Sequence, residues 1–267
     1  MPPRPELSDG PIAALFQVMK QAGDDILAVY HDRSRWETDH KADDSPVTAA
    51  DLAASRRLVA GLPAILDCPV LSEEALVPYT ERQGWQTYWL VDPLDGTREF
   101  LHKSDEFVIN AALMHDDQPI FGMVFQPVGG TGWWGGVGVP AQQGLPEAAE
   151  IIRSAAATTP VRVLGSRRSA WQGAWRDRLE TAGFDVDTRS VGSALKFMML
   201  ANGTAHCYPR LGPTSEWDTA APQAILTAAG GRLVQWNGEP LRYGKASTLN
   251  PEFVAVSDPV LLTILCH

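Results

Sequence analysis

The sequence is short of cysteine, and that shortage excludes two classes of protein at once. Cys68, Cys207 and Cys266 are the only three in 267 residues. They are scattered, odd in number and form no Cys-x-x-Cys pair. Neither a disulfide framework nor a cysteine zinc site is expected, and a reducing compartment follows. The six histidines show no His-Glu-x-x-His or His-x-His spacing, which removes the common zinc-hydrolase helix. Gly-x-Ser-x-Gly is absent, so no serine-hydrolase elbow is expected. No apolar run approaches the ~18 to 20 residues of a membrane span, and MPPRPELSDG at the start holds no apolar signal core. Positive charge is scarce too: 22 Lys and Arg stand against 32 Asp and Glu, a net charge of −10. Affinity for nucleic acid polymers rests on Lys and Arg contacts with phosphate, so a polymer partner is not expected. These absences predict a cytoplasmic protein without a transmembrane segment.

What is present suits a substantial core. The chain is 45% hydrophobic, and periodic apolar segments recur along it, which excludes global disorder. Ile12, Leu15, Phe16, Met19, Ile26, Leu27 and Tyr30 fall at helical spacing behind Ser8 or Asp9 as a cap and Pro11 in the first turn. VTAADLAASRRLVAGL reads as a second helix with Leu52, Leu58, Val59 and Leu62 on one face. CPVLSEEAL, TYWLVD, FVINAALM and IFGMVFQPV read as strands. Beyond PVRVLGS, strands alternate with the helices SALKFMMLANG and WDTAAPQAILTAAGG. The first half therefore reads as α+β, over 1–150, with a helix pair and an antiparallel sheet. The second reads as α/β, over 151–267. Gly130 to Gly135 matches Gly-x-Gly-x-x-Gly, but no helix follows, so a glycine-rich hairpin is expected rather than a dinucleotide site.

The chemistry concentrates in VDPLDGT, Val91 to Thr97. Two carboxylates stand three residues apart at the end of an apolar run. Like charges this close are costly unless something positive, or a shared proton, lies between them. Pro93 lacks an N–H and is expected to end the strand ladder. Gly96 permits an unusual backbone angle, and Thr97 can open a helix. Carboxylates suit Mg²⁺, and free N–H groups behind them suit phosphate oxygens. LSEEAL adds Glu73 and Glu74, PVTAADLA adds Asp51 with Thr48, and SEWDTAA adds Asp218.

With these motifs in order, the chain resembles the lithium-sensitive, Mg²⁺-dependent phosphomonoesterases of the inositol monophosphatase superfamily. Within it, the sequence is most similar to the CysQ-type 3′(2′),5′-bisphosphate nucleotidase branch. The resemblance rests on KADDSPVTAAD, PVLSEE, WLVDPLDGTREF, VGSALKF, YPRLGPTSEWDTAA and LNPEFVA, spread over nearly the whole chain. It implies a five-layer αβαβα sandwich. It implies two to three Mg²⁺ per site, one held by Glu73, Asp92 and the Leu94 carbonyl and a second by Asp92, Asp95 and Asp218. Glu73 and Thr97 would orient an attacking water, with Asp51 aiming the Thr97 hydroxyl. Leu94, Asp95, Gly96, Thr97 and Asp218 would also face the substrate, Ser193, Lys196 and Arg210 would contact the nucleotide and its second phosphate, and Lys41 would lie on a mobile loop.

The implied reaction is hydrolysis of the 3′-phosphate of adenosine 3′,5′-bisphosphate to AMP and phosphate, within sulfur metabolism. An inositol or other small sugar phosphate is the alternative substrate, and a non-catalytic metal or phosphate sensor the remote one. The implied partner is a small phosphorylated molecule, with a homodimer and peripheral contact with the inner membrane left open. Two departures from the family pattern stand out. Ser169 occupies the place where a histidine is expected. Pro222 follows WDTAA, where it is expected in a first turn, with the helix starting late.

Overall fold

The computed structural model describes residues 5–32, 38–40, 46–166 and 173–266, with backbone alone at 38–40, 46 and 47. Helix α1 (Asp9–His31) is followed by the short hairpin β1 (Thr38–His40) and β2 (Pro46–Thr48), then α2 (Ala49–Gly61). Strand β3 (Val70–Ser72), the single-turn α3 (Tyr79–Arg82) and β4 (Thr87–Asp95) lead into α4 (Thr97–Leu101). Five further strands complete the first sheet: β5 (Val108–His115), β6 (Gln118–Gln126), β7 (Thr131–Gly136), β8 (Val139–Gly144) and β9 (Glu150–Ile151). The second sheet opens with β10 (Val161–Gly165), followed by α5 (Ala174–Thr181), β11 (Val186–Ser190) and α6 (Leu195–Ala201). Strand β12 (Cys207–Arg210), α7 (Glu216–Ala229), β13 (Arg232–Gln235), β14 (Phe253–Val256) and α8 (Leu262–Leu265) close the chain.

The first sheet has seven strands in the order β3-β4-β5-β6-β7-β8-β9, parallel only between β3 and β4. The second has five, in the order β11-β10-β12-β14-β13, with β10 parallel to both its neighbours. Side chains on a strand alternate between faces, and each face of the first sheet has its own helix layer. Trp89, Val91, Ile109, Ala111 and Leu113 pack with Leu15, Phe16, Met19 and Leu58 of α1 and α2. Tyr88, Leu90, Val108, Ala112 and Met114 pack with Phe197, Met198, Trp217 and Ile225 of α6 and α7. The same helices cover Tyr208, Phe253 and Ala255 of the second sheet. On its far side Val163, Cys207 and Val254 meet Trp175 and Leu179 of α5 and Leu265 of α8. The order is helix, sheet, helix, sheet, helix, which is the five-layer αβαβα sandwich. The glycine-rich stretch folds as the β7–β8 hairpin.

Three local expectations need correction. Leu58 and Leu62 are buried as expected, but Leu52 is exposed, and the rest of the buried face of α2 is Ala50, Asp51, Ala54 and Ser55. Small side chains let α2 lie close to its neighbours, a face that a search for large apolar residues misses. Pro93 does not end β4. Pairing slips after Asp92↔Asn110 and resumes at Asp95↔Val108, so the proline sits in a bulge. Helix α7 starts at Glu216, not late, which puts Pro222 inside it, seven residues in. An ordinary residue there would donate to the Asp218 carbonyl; proline has no N–H to do so.

Candidate active site

The bulge in β4 builds the centre of the site. The Leu94 N–H donates to Asp92 Oδ1 at 2.9 Å, folding the turn back on its own carboxylate. Gly96 then adopts a left-handed conformation, φ +97°, as the residue before α4. A side chain there would face both that strained backbone and the Glu106 carbonyl, 3.1 Å from an added Cβ. This turn is why Asp92, Asp95 and Thr97, close in sequence, all reach one place.

Two other elements bring carboxylates to it. Glu73 follows β3, and its N–H donates to the Val91 carbonyl at 3.1 Å, so it tracks the parallel neighbour β4. Asp218 is the third residue of α7, and its Oδ2 accepts the Ser215 N–H at 2.8 Å. Glu73, Asp92 and Asp218 each offer an oxygen, all within 4.8 Å of one another. Asp95 Oδ2 accepts the Ala194 N–H at 2.6 Å and the Asn110 amide at 3.3 Å.

Packing these groups together has an electrostatic cost. Burial, then the charges of Glu73, Asp95 and Asp218, push the Asp92 carboxyl well above the usual carboxylate range. Burial, then Asp95 and Glu73, push Asp218 up to about 8. Burial raises Asp95 to about 6, opposed by the Lys196 charge and the Ala194 N–H. An all-oxygen donor set with Asp92 buried, Glu73, Asp95 and Asp218 half-buried, and Asp92, Asp95 and Asp218 resisting ionisation fits a hard divalent cation, which removes the repulsion and prefers oxygen ligands.

Beside the carboxylates the Thr97 hydroxyl lies 3.2 Å from Asp51 Oδ1 and 3.3 Å from the Leu94 carbonyl, either of which can accept its proton. Asp51 is buried and is itself held by the Thr48 N–H and hydroxyl, at 2.8 and 2.6 Å, on its other oxygen. Burial raises it to about 6, partly offset by those two bonds.

A cleft of about 1020 Å³ opens over this group, lined by Glu73, Asp95, Thr97, Ser193, Arg210 and Asp218 among others. Gly96 and Lys196 line it too. Ser193 is left-handed, φ +46°. The Lys196 ammonium is buried and donates to the Val191 and Ser193 carbonyls at 3.1 and 2.6 Å, with burial lowering it to about 8. Arg210 holds its own turn, donating to the Gly212 and Pro213 carbonyls at 3.1 and 2.8 Å. Lys41 and Ser169 lie outside the described residues. Sequence reasoning missed Asn110 beneath Asp95, Glu106, whose Oε2 accepts the Gly192 N–H at 2.7 Å, and the fully buried Glu216. Asn110 left a signal: it is the polar residue within the apolar strand FVINAALM.

A layered sandwich with an acidic turn at a strand end defines a class. The chain belongs to the inositol monophosphatase family, whose model matches residues 10–263. That family consists of metal-dependent phosphatases, in keeping with the acidic cluster. Among individual relatives, the 3′(2′),5′-bisphosphate nucleotidase CysQ of Escherichia coli K12 is 42% identical over 247 residues, spanning 89% of this chain and 96% of that one. The protein of the same name from Aggregatibacter actinomycetemcomitans is 35% identical over 258 residues, 90% of each chain. The crystal structure of CysQ from Bacteroides thetaiotaomicron matches with a TM-score of 0.79 at 36% identity, covering 92% of this chain and 96% of the other. The extragenic suppressor protein suhB from Bartonella henselae shares the fold, with a TM-score of 0.78 at 21% identity and 95% of this chain covered. Among the described residues, no helix is long and apolar enough to cross a membrane.

Proposed function

We propose that this protein is a 3′(2′),5′-bisphosphate nucleotidase that hydrolyses the 3′-phosphate of adenosine 3′,5′-bisphosphate to AMP and phosphate. The identity to nucleotidases over nearly the full length of both chains supports the substrate. The observation that carries the chemistry is the convergence of Glu73, Asp92 and Asp218 oxygens within 4.8 Å. Glu73, Asp92 and the Leu94 carbonyl would hold one Mg²⁺, and Asp92, Asp95 and Asp218 a second, with two to three ions per site. Bound there, the cation supplies positive charge to the phosphoryl oxygens and acidifies water.

The chain's own groups do the rest. The backbone N–H groups of Gly96 and Thr97 bind phosphate oxygens, a role the left-handed Gly96 makes sterically open. Thr97 donates a hydrogen bond to Asp51 Oδ1, which leaves its lone pairs free to accept one from the attacking water, and the water's proton passes through the Thr97 hydroxyl to the Asp51 carboxylate. Glu73, which also lines the cleft, aims that water at phosphorus. The water oxygen forms the new P–O bond as the bond to the ribose 3′ oxygen breaks, and the leaving oxygen takes up a proton. Ser193, Lys196 and Arg210 shape the nucleotide side, Lys196 chiefly by pinning the carbonyls of the loop that carries Ser193.

Alanine at Asp92, Asp95 or Asp218 tests the reading. Each variant should lose turnover by at least about a thousandfold, as loss of a central electrostatic group does, while circular dichroism shows a folded chain. Retention of Mg²⁺-dependent phosphate release by all three would sink the mechanism.

A further inference from the structure

A carboxylate outside the metal-binding group sits two residues before Asp218. Glu216 is fully buried, a placement that a charge tolerates only when its oxygens are paired. The pairing comes from one segment, residues 243–250, which crosses the start of α7. Glu216 Oε2 accepts the Gly244 N–H at 3.0 Å, and Oε1 accepts the Lys245 N–H at 3.1 Å and the Lys245 ammonium. The same segment is bonded to the helix start further along. The Glu216 N–H donates to the Thr248 carbonyl at 2.8 Å, and the Asn250 amide donates to the Ser215 carbonyl at 2.6 Å and the Thr219 hydroxyl at 3.0 Å. From the other side Arg82 of α3, itself buried, donates to the Lys245 and Ala246 carbonyls at 2.8 and 3.2 Å. Arg82 also donates to the Val77 carbonyl at 3.3 Å, on the stretch of chain that leaves Glu73.

We infer that Glu216 is a positioning residue: through the 243–250 segment it fixes the seat of Asp218 against Glu73 and Asp92, and so sets the Mg²⁺ affinity of the site. The inference rests on the metal-dependent phosphatase reading. Glu73 and Asp92 ride on the first sheet, at the end of β3 and on β4, whereas Asp218 rides on α7. Their oxygens converge within 4.8 Å, and Mg²⁺ demands closely fixed ligand positions. The helix must therefore be held along its axis as well as pressed onto the sheet. Apolar packing presses but is non-directional. The Glu216 carboxylate supplies direction, because its donors come from a segment that Arg82 ties to the first-sheet side. Glutamine at 216 would keep the shape, lose the charge opposite Lys245 and turn an amide NH₂ towards an N–H donor.

The test is Mg²⁺ binding to the metal-stripped protein by isothermal titration calorimetry, well below its melting temperature. The Mg²⁺ concentration for half-maximal phosphate release from adenosine 3′,5′-bisphosphate is measured alongside. Glu216→Gln should weaken Mg²⁺ binding by about tenfold or more, as loss of a group that orients metal ligands does. Half-saturation should rise in step, while KM for the nucleotide at saturating Mg²⁺ stays near the wild-type value. Leu179→Ala, on the far side of the second sheet, is the control for stability alone. It should lower the melting temperature and leave Mg²⁺ binding unchanged. Wild-type Mg²⁺ affinity in a folded Glu216→Gln, or an equal loss of affinity in Leu179→Ala, overturns the inference and leaves the metal site standing. A wild-type protein that binds no Mg²⁺ overturns both. If Glu216→Gln does not fold, Arg82→Gln and Lys245→Gln decide by the same criterion.

Discussion

Asp218 illustrates the conflict at the scale of the residue. Its carboxyl titrates near 8 in the metal-free protein against 3.8 when unfolded, because burial and Asp95 oppose its charge. The native state therefore holds a proton that the unfolded chain has released, and stability is lost as pH rises from about 4 towards 8. The metal-free protein should melt at a lower temperature at pH 8 than at pH 5, and Mg²⁺ should remove most of that difference. Asp218→Asn should flatten the metal-free pH profile and raise its pH 8 melting temperature by several degrees, about 2–4 °C per kcal/mol for a chain near this size. A steeper fall for the variant, measured by calorimetry in EDTA, would contradict this electrostatic account. The acidic residues were legible in the sequence because they cluster in short motifs. Asn110, Glu106 and Glu216 were not, because their partners are remote: Asn110 meets Asp95 from 15 positions away, Glu106 meets Gly192 from 86 and Glu216 takes the Gly244 N–H from 28.

At the scale of the element, α7 does the most, because one helix delivers Asp218 and is packed against both sheets. Its seat on the first sheet is at Gly122 of β6, where an added Cβ would lie 2.2 Å from the Ala221 carbonyl oxygen. Gly122→Ala should push the helix off the strand and destabilise the fold by ~1–3 kcal/mol, the usual cost of overpacking. It should also raise the Mg²⁺ concentration needed for half-maximal activity, since Asp218 moves with the helix. A variant with wild-type melting and wild-type Mg²⁺ dependence would show that the contact is slack. Strand and helix types were largely readable from periodicity, including the β7–β8 hairpin. The two prolines misled for one reason: Pro93 and Pro222 act as breakers in isolation, but tertiary packing holds one in a bulge and the other inside a helix. The burial of small residues on α2 was hidden because alanine and serine give a weak apolar signal.

For the whole molecule, layering explains how distant segments form one cleft. Asp51 comes from α2, Asp92 and Asp95 from β4, Asp218 from α7 and Arg210 from the end of β12, and the middle helix layer holds the two sheets at fixed separation. Resemblance in the motifs made the fold legible in advance; composition and spacing alone reached only an α+β half followed by an α/β half. The substrate side of the cleft was harder to read, because a cationic side chain can serve a ligand or its own loop, and only the structure shows Lys196 and Arg210 donating to the carbonyls of their own loops. The most direct measurement is Mg²⁺-dependent phosphate release from adenosine 3′,5′-bisphosphate, inositol 1-phosphate, fructose 1,6-bisphosphate and 5′-AMP under one set of conditions. The expected result is a kcat/KM for the bisphosphate nucleotide at least about tenfold above every other, a gap of roughly 1.4 kcal/mol. A higher value for inositol 1-phosphate would contradict the nucleotidase assignment and leave the metal site alone intact.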